Sequence, residues 1–228
     1  MATDVFFDFF GTLVDYDPSI HPASHNAPHE FGLRAGVRLT GDEADALWDR
    51  AWTELDRHGT VTGVEHSMRD IAGRYWELLG SPTVGDGEFD RLVADYLDAW
   101  TAEITPAAFA ADCLADLAAD HRLTIVSNTH DAALVPALAR RFGLDTHISE
   151  IVTSIEVGWR KPHPEIFRIA MDRRGVRADA VVFVGDNWTA DVEGPQRAGM
   201  TAFYVGKAGA ERTPTSLDRL PDLIRALA

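Results

Sequence analysis

The chain has 228 residues, 46% of them hydrophobic, with 21 Lys or Arg against 36 Asp or Glu and a single cysteine. That length suits one full core plus an inserted module, and the lone Cys113 excludes a disulfide framework and a cysteine-based zinc site. A formal charge of −15 without any basic tract argues against nucleic acid or anionic membrane as a partner; with no membrane-length apolar run and no N-terminal leader pattern, the expectation is a cytoplasmic protein.

The first element is the run Val5-Phe6-Phe7-Asp8-Phe9-Phe10-Gly11-Thr12-Leu13. A short apolar run ended by a turn signal predicts a strand buried on both faces. A carboxylate buried there is costly unless it is paired or holds a metal. Gly11 lets the backbone turn sharply and approach a ligand, and Thr12 adds a hydroxyl. Ligands bind at the carboxyl ends of strands in open α/β sheets, so Asp8 is a candidate site residue; a helix-capping or turn aspartate is the plainer alternative.

Residues 15–104 read as helical. Thr40 and Glu43 form a capping box before an apolar stripe through Leu47, Trp48, Ala51, Trp52 and Leu55. A second stripe runs through Met68, Ile71, Ala72, Tyr75, Trp76 and Leu79, ended by Gly80-Ser81-Pro82; a third runs through Phe89, Leu92, Val93, Tyr96, Leu97 and Trp100. With no strand pattern between them, they predict an inserted helical module. His21, His25 and His29 are spaced by four as on a metal-binding helix face, but Pro22 and Pro28 argue against a regular helix there. Arg34 and Arg38 are candidates for gripping an anionic substrate.

From Thr105 the pattern alternates. Thr105-Pro106 predicts a helix start, carrying Phe109, Cys113, Leu114 and Leu117. The strand Leu123–Val126 ends in Ser127-Asn128, and a strand over Ile148–Val152 leads to Lys161-Pro162. The strand Val181–Val184 ends in Gly185-Asp186, with Asp191 five residues on, and a last strand covers Thr201–Val205. Helical stripes separate these strands, which predicts an α/β fold: a Rossmann-like parallel sheet of residues 1–14 and 105–228.

Parallel strands end on one side, so Asp8, Ser127-Asn128, Lys161 and Asp186 converge. Crowded carboxylates raise one another's pKa unless a cation sits among them, and Mg²⁺, which accepts a few carboxylates, waters and a substrate phosphate, suits Asp8, Asp186 and Asp191. Lys161, one of only two lysines, supplies a compact positive charge, and Ser127 a hydroxyl donor for a small anionic substrate.

The four motifs Asp8-Phe9-Phe10-Gly11-Thr12-Leu13, Ser127-Asn128, Lys161-Pro162 and Gly185-Asp186 with Asp191 resemble, in order and spacing, those of the haloacid dehalogenase superfamily, and the helical insert of residues 15–104 resembles its α-helical cap. The resemblance implies an aspartate nucleophile at Asp8 and a covalent aspartyl intermediate. It implies that Ser127, Asn128, Gly11 and Thr12 bind the transferred group beside Phe10, and that Lys161 steadies the intermediate. It also implies that Asp8, Asp186 and the Phe10 carbonyl hold Mg²⁺, with Asp191 acting directly or through water.

Phosphatases of this superfamily usually carry a second aspartate where this chain has Phe10, to protonate the leaving oxygen and later activate water. Phe10 does neither, and losing such catalysis typically costs about 10²–10⁴-fold in rate. The 2-haloacid dehalogenases also have an aromatic there, but they need no metal and lack an acid at the position of Asp186. The retained acid favours a Mg²⁺-dependent phosphatase acting on a small phosphorylated metabolite. A 2-haloacid dehalogenase is the alternative, and a slow or non-catalytic phospho-ligand-binding protein a further one.

Overall fold

The computed structural model describes residues 2–16, 26–209 and 212–227. In chain order the elements are β1 (Asp4–Phe7), β2 (Val14–Asp15), α1 (Asn26–Arg34), α2 (Gly41–Thr62), α3 (Met68–Leu78), α4 (Glu88–Thr101), β3 (Thr105–Pro106) and α5 (Ala110–Leu117). They continue with β4 (Arg122–Ser127), α6 (Leu134–Arg141), β5 (Ile148–Thr153), α7 (Ser154–Val157), α8 (Pro164–Arg174), β6 (Val181–Gly185), α9 (Gly194–Arg197), β7 (Thr201–Tyr204) and α10 (Leu220–Arg225). The chain divides into two compact units, Met1–Tyr16 with Thr105–Ala228, and Asp17–Ile104.

The first unit is built on a parallel sheet of order β5-β4-β1-β6-β7. β1 lies at its centre, with Phe6 opposite Thr124 of β4 on one side and Phe183 of β6 on the other. All four residues of β1 are buried, which is why the run is apolar on both faces. Phe6, Val126, Ile166, Phe167 and Phe183 pack together in the core. The order places the first strand between the second and fourth motif strands, so Asp8, Ser127 and Asp186 leave adjacent strands at one edge. This is the Rossmann-like α/β core the sequence predicts.

Immediately after β1 the backbone reverses. The Gly11 N–H donates to the Val14 carbonyl at 2.7 Å and the Leu13 N–H to the Phe9 carbonyl at 2.9 Å, with Gly11 at φ +81°. Only glycine takes that conformation without steric strain. β2 then pairs antiparallel with β3, Val14 opposite Pro106 and Asp15 opposite Thr105. The pairing corrects two expectations. Thr105-Pro106 is a strand, not a helix start, and α5 begins only after Phe109, which sits at φ +65° and is 56% exposed instead of on the apolar stripe. Asp15 and Tyr16 belong to the first unit, not to the helical insert.

The second unit contains α1–α4. The capping boxes Thr40/Glu43 and Ser67/Asp70 fix the starts of α2 and α3. Phe31, Trp48, Ile71, Tyr75, Leu92 and Tyr96 form its core, and the buried Tyr75 hydroxyl donates to the Pro28 carbonyl at 3.0 Å. Pro28 lies inside α1, contrary to the expectation of no regular helix there: in the first turn its missing N–H has no intrahelical acceptor to lose. No helix among the described residues is long and apolar enough to cross a membrane.

Candidate active site

Asp8 is the first residue beyond β1. Its N–H donates to the Val184 carbonyl at 2.9 Å, so the sheet's pairing extends one residue and fixes where the carboxylate begins. The side chain is buried and its Oδ1 accepts from the Lys161 Nζ at 2.7 Å. Lys161 is 4% exposed and donates a second hydrogen bond at 2.8 Å to Oδ1 of Asp191, itself 1% exposed. The Phe183 ring lies 5.1 Å beneath the ammonium. One buried cation therefore joins two carboxylates from separate motifs.

The third carboxylate, Asp186, follows β6 and is less enclosed. Asp8, Asp186 and Asp191 each offer an oxygen, all within 4.8 Å of one another. Among the described residues one ammonium, Lys161, pairs with Asp8 and Asp191, with Asp186 beside them. Burial, then the Asp8 charge, pushes the Asp186 carboxyl up to about 6, while Lys161 opposes the rise. Burial also raises Asp191, against the pull of Lys161. For Lys161, burial disfavours the charged form but Asp191 and Asp8 outweigh it, so the ammonium is held well into the basic range.

Two glycines make this crowding possible. A Cβ on Gly11 would stand 2.4 Å from Oδ2 of Asp186, and one on Gly185 would stand 2.4 Å from Cβ of Asp191. The space beside Asp186 exists because residue 11 has no side chain. An all-oxygen donor set with excess negative charge and such a cradle fits a small hard cation such as Mg²⁺.

The remaining predicted residues gather here in different ways. Thr12 Oγ1 lies 3.5 Å from Oδ2 of Asp8, and Ser127 is fully buried at the end of β4. Asn128 is engaged on the lysine loop: its Oδ1 accepts from the Lys161 N–H at 2.7 Å and its Nδ2 donates to the Lys161 carbonyl at 3.0 Å. It positions Lys161, a role its expected place among the substrate-binding residues did not anticipate. Asp191 is held by the Asn187 N–H, which donates to its Oδ2 at 2.9 Å from the start of a short π-helical turn, Trp188–Glu193. The Phe10 ring packs edge-on to Phe9 at 5.1 Å and to Tyr16 at 6.1 Å.

Other sequence candidates are accounted for elsewhere. Arg34 binds Glu88 at 2.7 Å within the helical unit, and the His29 ring bonds the Leu39 carbonyl at 3.1 Å. His21 and His25 lie outside the described residues. Sequence reasoning missed Ser154, whose hydroxyl accepts from the Thr129 N–H at 2.9 Å and donates to its carbonyl at 3.2 Å, fastening the loop after Ser127.

The haloacid dehalogenase-like hydrolase family matches residues 5–199, which span all four motifs. Ribulose-1,5-bisphosphate 5-phosphatase of Halopiger xanaduensis is 26% identical over 96% of this chain and 91% of its own. Glyceraldehyde 3-phosphate phosphatase of Methanothermobacter thermautotrophicus is 30% identical over 90% of this chain and 86% of its own. The crystal structure of a 2-haloacid dehalogenase from Pseudomonas syringae superposes over the whole of both chains with a TM-score of 0.76 at 24% identity, a likeness of fold. With its motif residues gathered at one edge of a parallel sheet and this match over most of its length, the chain is a hydrolase and belongs to the haloacid dehalogenase-like family.

Proposed function

We propose that this hydrolase is a Mg²⁺-dependent phosphatase that removes the phosphoryl group of a small phosphorylated metabolite by way of an aspartyl-phosphate on Asp8. The observation that carries the reading is Asp186, a third carboxylate retained within 4.8 Å of Asp8 and Asp191 although a single lysine cannot balance all three. A dehalogenase attacking a carboxylate-bearing substrate gains nothing from that extra negative charge. The full-length likeness to two enzymes named as sugar and triose phosphatases supports the same choice.

In this reading Asp8, Asp186 and the Phe10 carbonyl hold Mg²⁺, with Asp191 acting directly or through water. The ion supplies positive charge to the phosphoryl oxygens and offsets their repulsion from the carboxylates. Lys161 fixes the Asp8 rotamer through its 2.7 Å bond to Oδ1 and neutralises the charge that Asp191 brings. The Asp8 carboxylate attacks phosphorus; the ester oxygen leaves with the bonding electron pair; water then cleaves the acyl phosphate. The Thr12 and Ser127 hydroxyls donate to the transferred group, and Gly11, having no side chain, leaves room for it. The helical unit Asp17–Ile104 acts as a cap that selects the substrate.

Phe10 favours a second reading, 2-haloacid dehalogenation, because a halide leaves without a proton. Assaying a panel of phosphate monoesters and 2-haloacids with Mg²⁺ and with chelator separates the two. We expect phosphate release that chelator abolishes and that Asp8→Asn reduces to background. Chelator-insensitive halide release, lost in Asp8→Asn, would replace the phosphatase reading with the dehalogenase one; neither activity would leave a phospho-ligand-binding protein.

A further inference from the structure

In the reaction proposed above Lys161 fixes Asp8 and offsets Asp191, and both tasks depend on where its backbone starts. The ammonium reaches the two acids from a loop over residues 159–163, between the left-handed Gly158 after α7 and Pro164 at the start of α8. Two holds on that loop come from other segments. Asn128 bonds the Lys161 backbone through both its polar atoms. α9 presses on the next residue, since a Cβ on Gly194 would stand 3.0 Å from Cβ of Pro162. A third hold lies within the loop. The Trp159 indole, two residues before Lys161, stacks face to face on the His163 imidazole, two residues after it, with centroids 4.0 Å apart and planes at 12°.

Both rings are themselves anchored. Trp159 packs with Val157 and Met171 against the core cluster that contains Phe183, and the Phe183 ring lies 5.1 Å from the Lys161 Nζ. The His163 Nδ1 accepts from the Glu165 N–H at 3.3 Å and so caps α8, while the His163 N–H donates to the Arg160 carbonyl at 2.9 Å and closes the turn. Accepting at Nδ1 leaves the hydrogen of the neutral imidazole on Nε2 and fixes the plane of the ring. A lysine side chain has many rotamers, and it fills a buried slot in one of them only if its backbone is held still.

We propose that Trp159 and His163 are positioning residues, whose stack clamps the two flanks of Lys161 so that its ammonium meets Asp8 and Asp191 together. The proposal rests on the phosphatase reading, in which Lys161 steadies the nucleophile. The effect of the stack passes through Lys161 to the Asp8 carboxylate, so it bears on turnover. Substrate binding draws on other groups, the Thr12 and Ser127 hydroxyls and the metal. A reacting group misplaced by about 1 Å can cost about 100-fold in rate, which makes a loop-holding contact visible in kcat.

The test separates the ring of His163 from its cap. His163→Asn keeps an acceptor for the Glu165 N–H and removes the ring; His163→Phe keeps a ring on Trp159 and removes the acceptor. Trp159→Ala removes the other half of the stack. kcat and KM are measured with p-nitrophenyl phosphate and Mg²⁺ for each variant and for Trp159→Ala combined with His163→Asn, with unfolding midpoints alongside. The expected result is a kcat about 10–100-fold lower in His163→Asn and in Trp159→Ala, with KM within about twofold. His163→Phe should keep its kcat although its unfolding midpoint falls, and the double variant should be no slower than the slower single one, because both act through one contact. An unchanged kcat in the two variants that remove a ring, losses that multiply in the double variant, or a loss in His163→Phe as large as in His163→Asn would each overturn the role of the stack while leaving the phosphatase reading intact. No phosphate release by the unsubstituted protein would overturn both.

Discussion

The two ends of β1 each carry a buried aspartate, and they solve the problem of burial in opposite ways. At the amino end Asp4 is fully buried, but two guanidiniums reach it: Arg122 at 2.6 Å and Arg174 at 3.5 Å, with the Thr3 hydroxyl donating at 2.8 Å. Cations outnumber acids there, and nothing about Asp4 calls for a further ligand. At the carboxyl end one ammonium is divided among Asp8 and Asp191 while Asp186 stands beside them. Four residues apart, at the start of β1 and just past its end, the first carboxylate is locked into structure and the second sits where negative charge is left over. The difference shows that burial of an acid does not by itself mark a reactive site; an unfilled charge balance does.

The largest effect expected from breaking this comparison is at the carboxyl end. Lys161→Met leaves Asp8 and Asp191 buried without their cation, so unfolding free energy in denaturant should fall by about 3–5 kcal/mol, and turnover should vanish. Asp4→Asn, at the other end, weakens hydrogen bonds to charged groups. It should lower stability by about 1.5–3 kcal/mol while leaving Mg²⁺ affinity and turnover per folded molecule unchanged.

The most specific effect concerns pH. The Asp186 carboxyl sits at about 6 in the metal-free fold against about 3.9 in an unfolded chain. The folded state therefore binds the extra proton between those values. The stability this group contributes is full below pH about 4 and is lost as pH rises through about 6. Metal binding needs the ionised carboxylate, so stabilisation by Mg²⁺ should grow over the same range. Thermal unfolding of the metal-free protein from pH 4 to 8 should show this decline, and Asp186→Asn should make it shallower, leaving the part that belongs to the raised carboxyl of Asp191, while removing the Mg²⁺ effect. The same slope in both proteins would assign the decline to other groups.

Much of the site was legible in the sequence because its chemistry is attached to strand ends. Asp8, Ser127 and Asp186 each follow an apolar run, and one sheet edge collects all three whatever the details of the helices between. What the sequence hid depends on contacts between distant segments. Thr105-Pro106 carries every local mark of a helix start, yet Val14 and Asp15, ninety residues earlier, draw it into a strand. Asn128 looks like a ligand-facing amide, and only the fold shows both its polar atoms bonded to the Lys161 backbone. Asp4 attracts no notice in the sequence, since its partners Arg122 and Arg174 lie far along the chain.

The central claim, that Asp8 carries a phosphoryl group in turnover, is tested most directly by acid-quenching the enzyme in the steady state with a phosphate monoester and Mg²⁺, then reading the mass of the peptide that contains Asp8. The account predicts a phosphorylated Asp8 that is absent when chelator replaces Mg²⁺ and absent in Asp8→Asn. An unmodified peptide from an enzyme that is releasing phosphate, or the phosphoryl group on another residue, would contradict it.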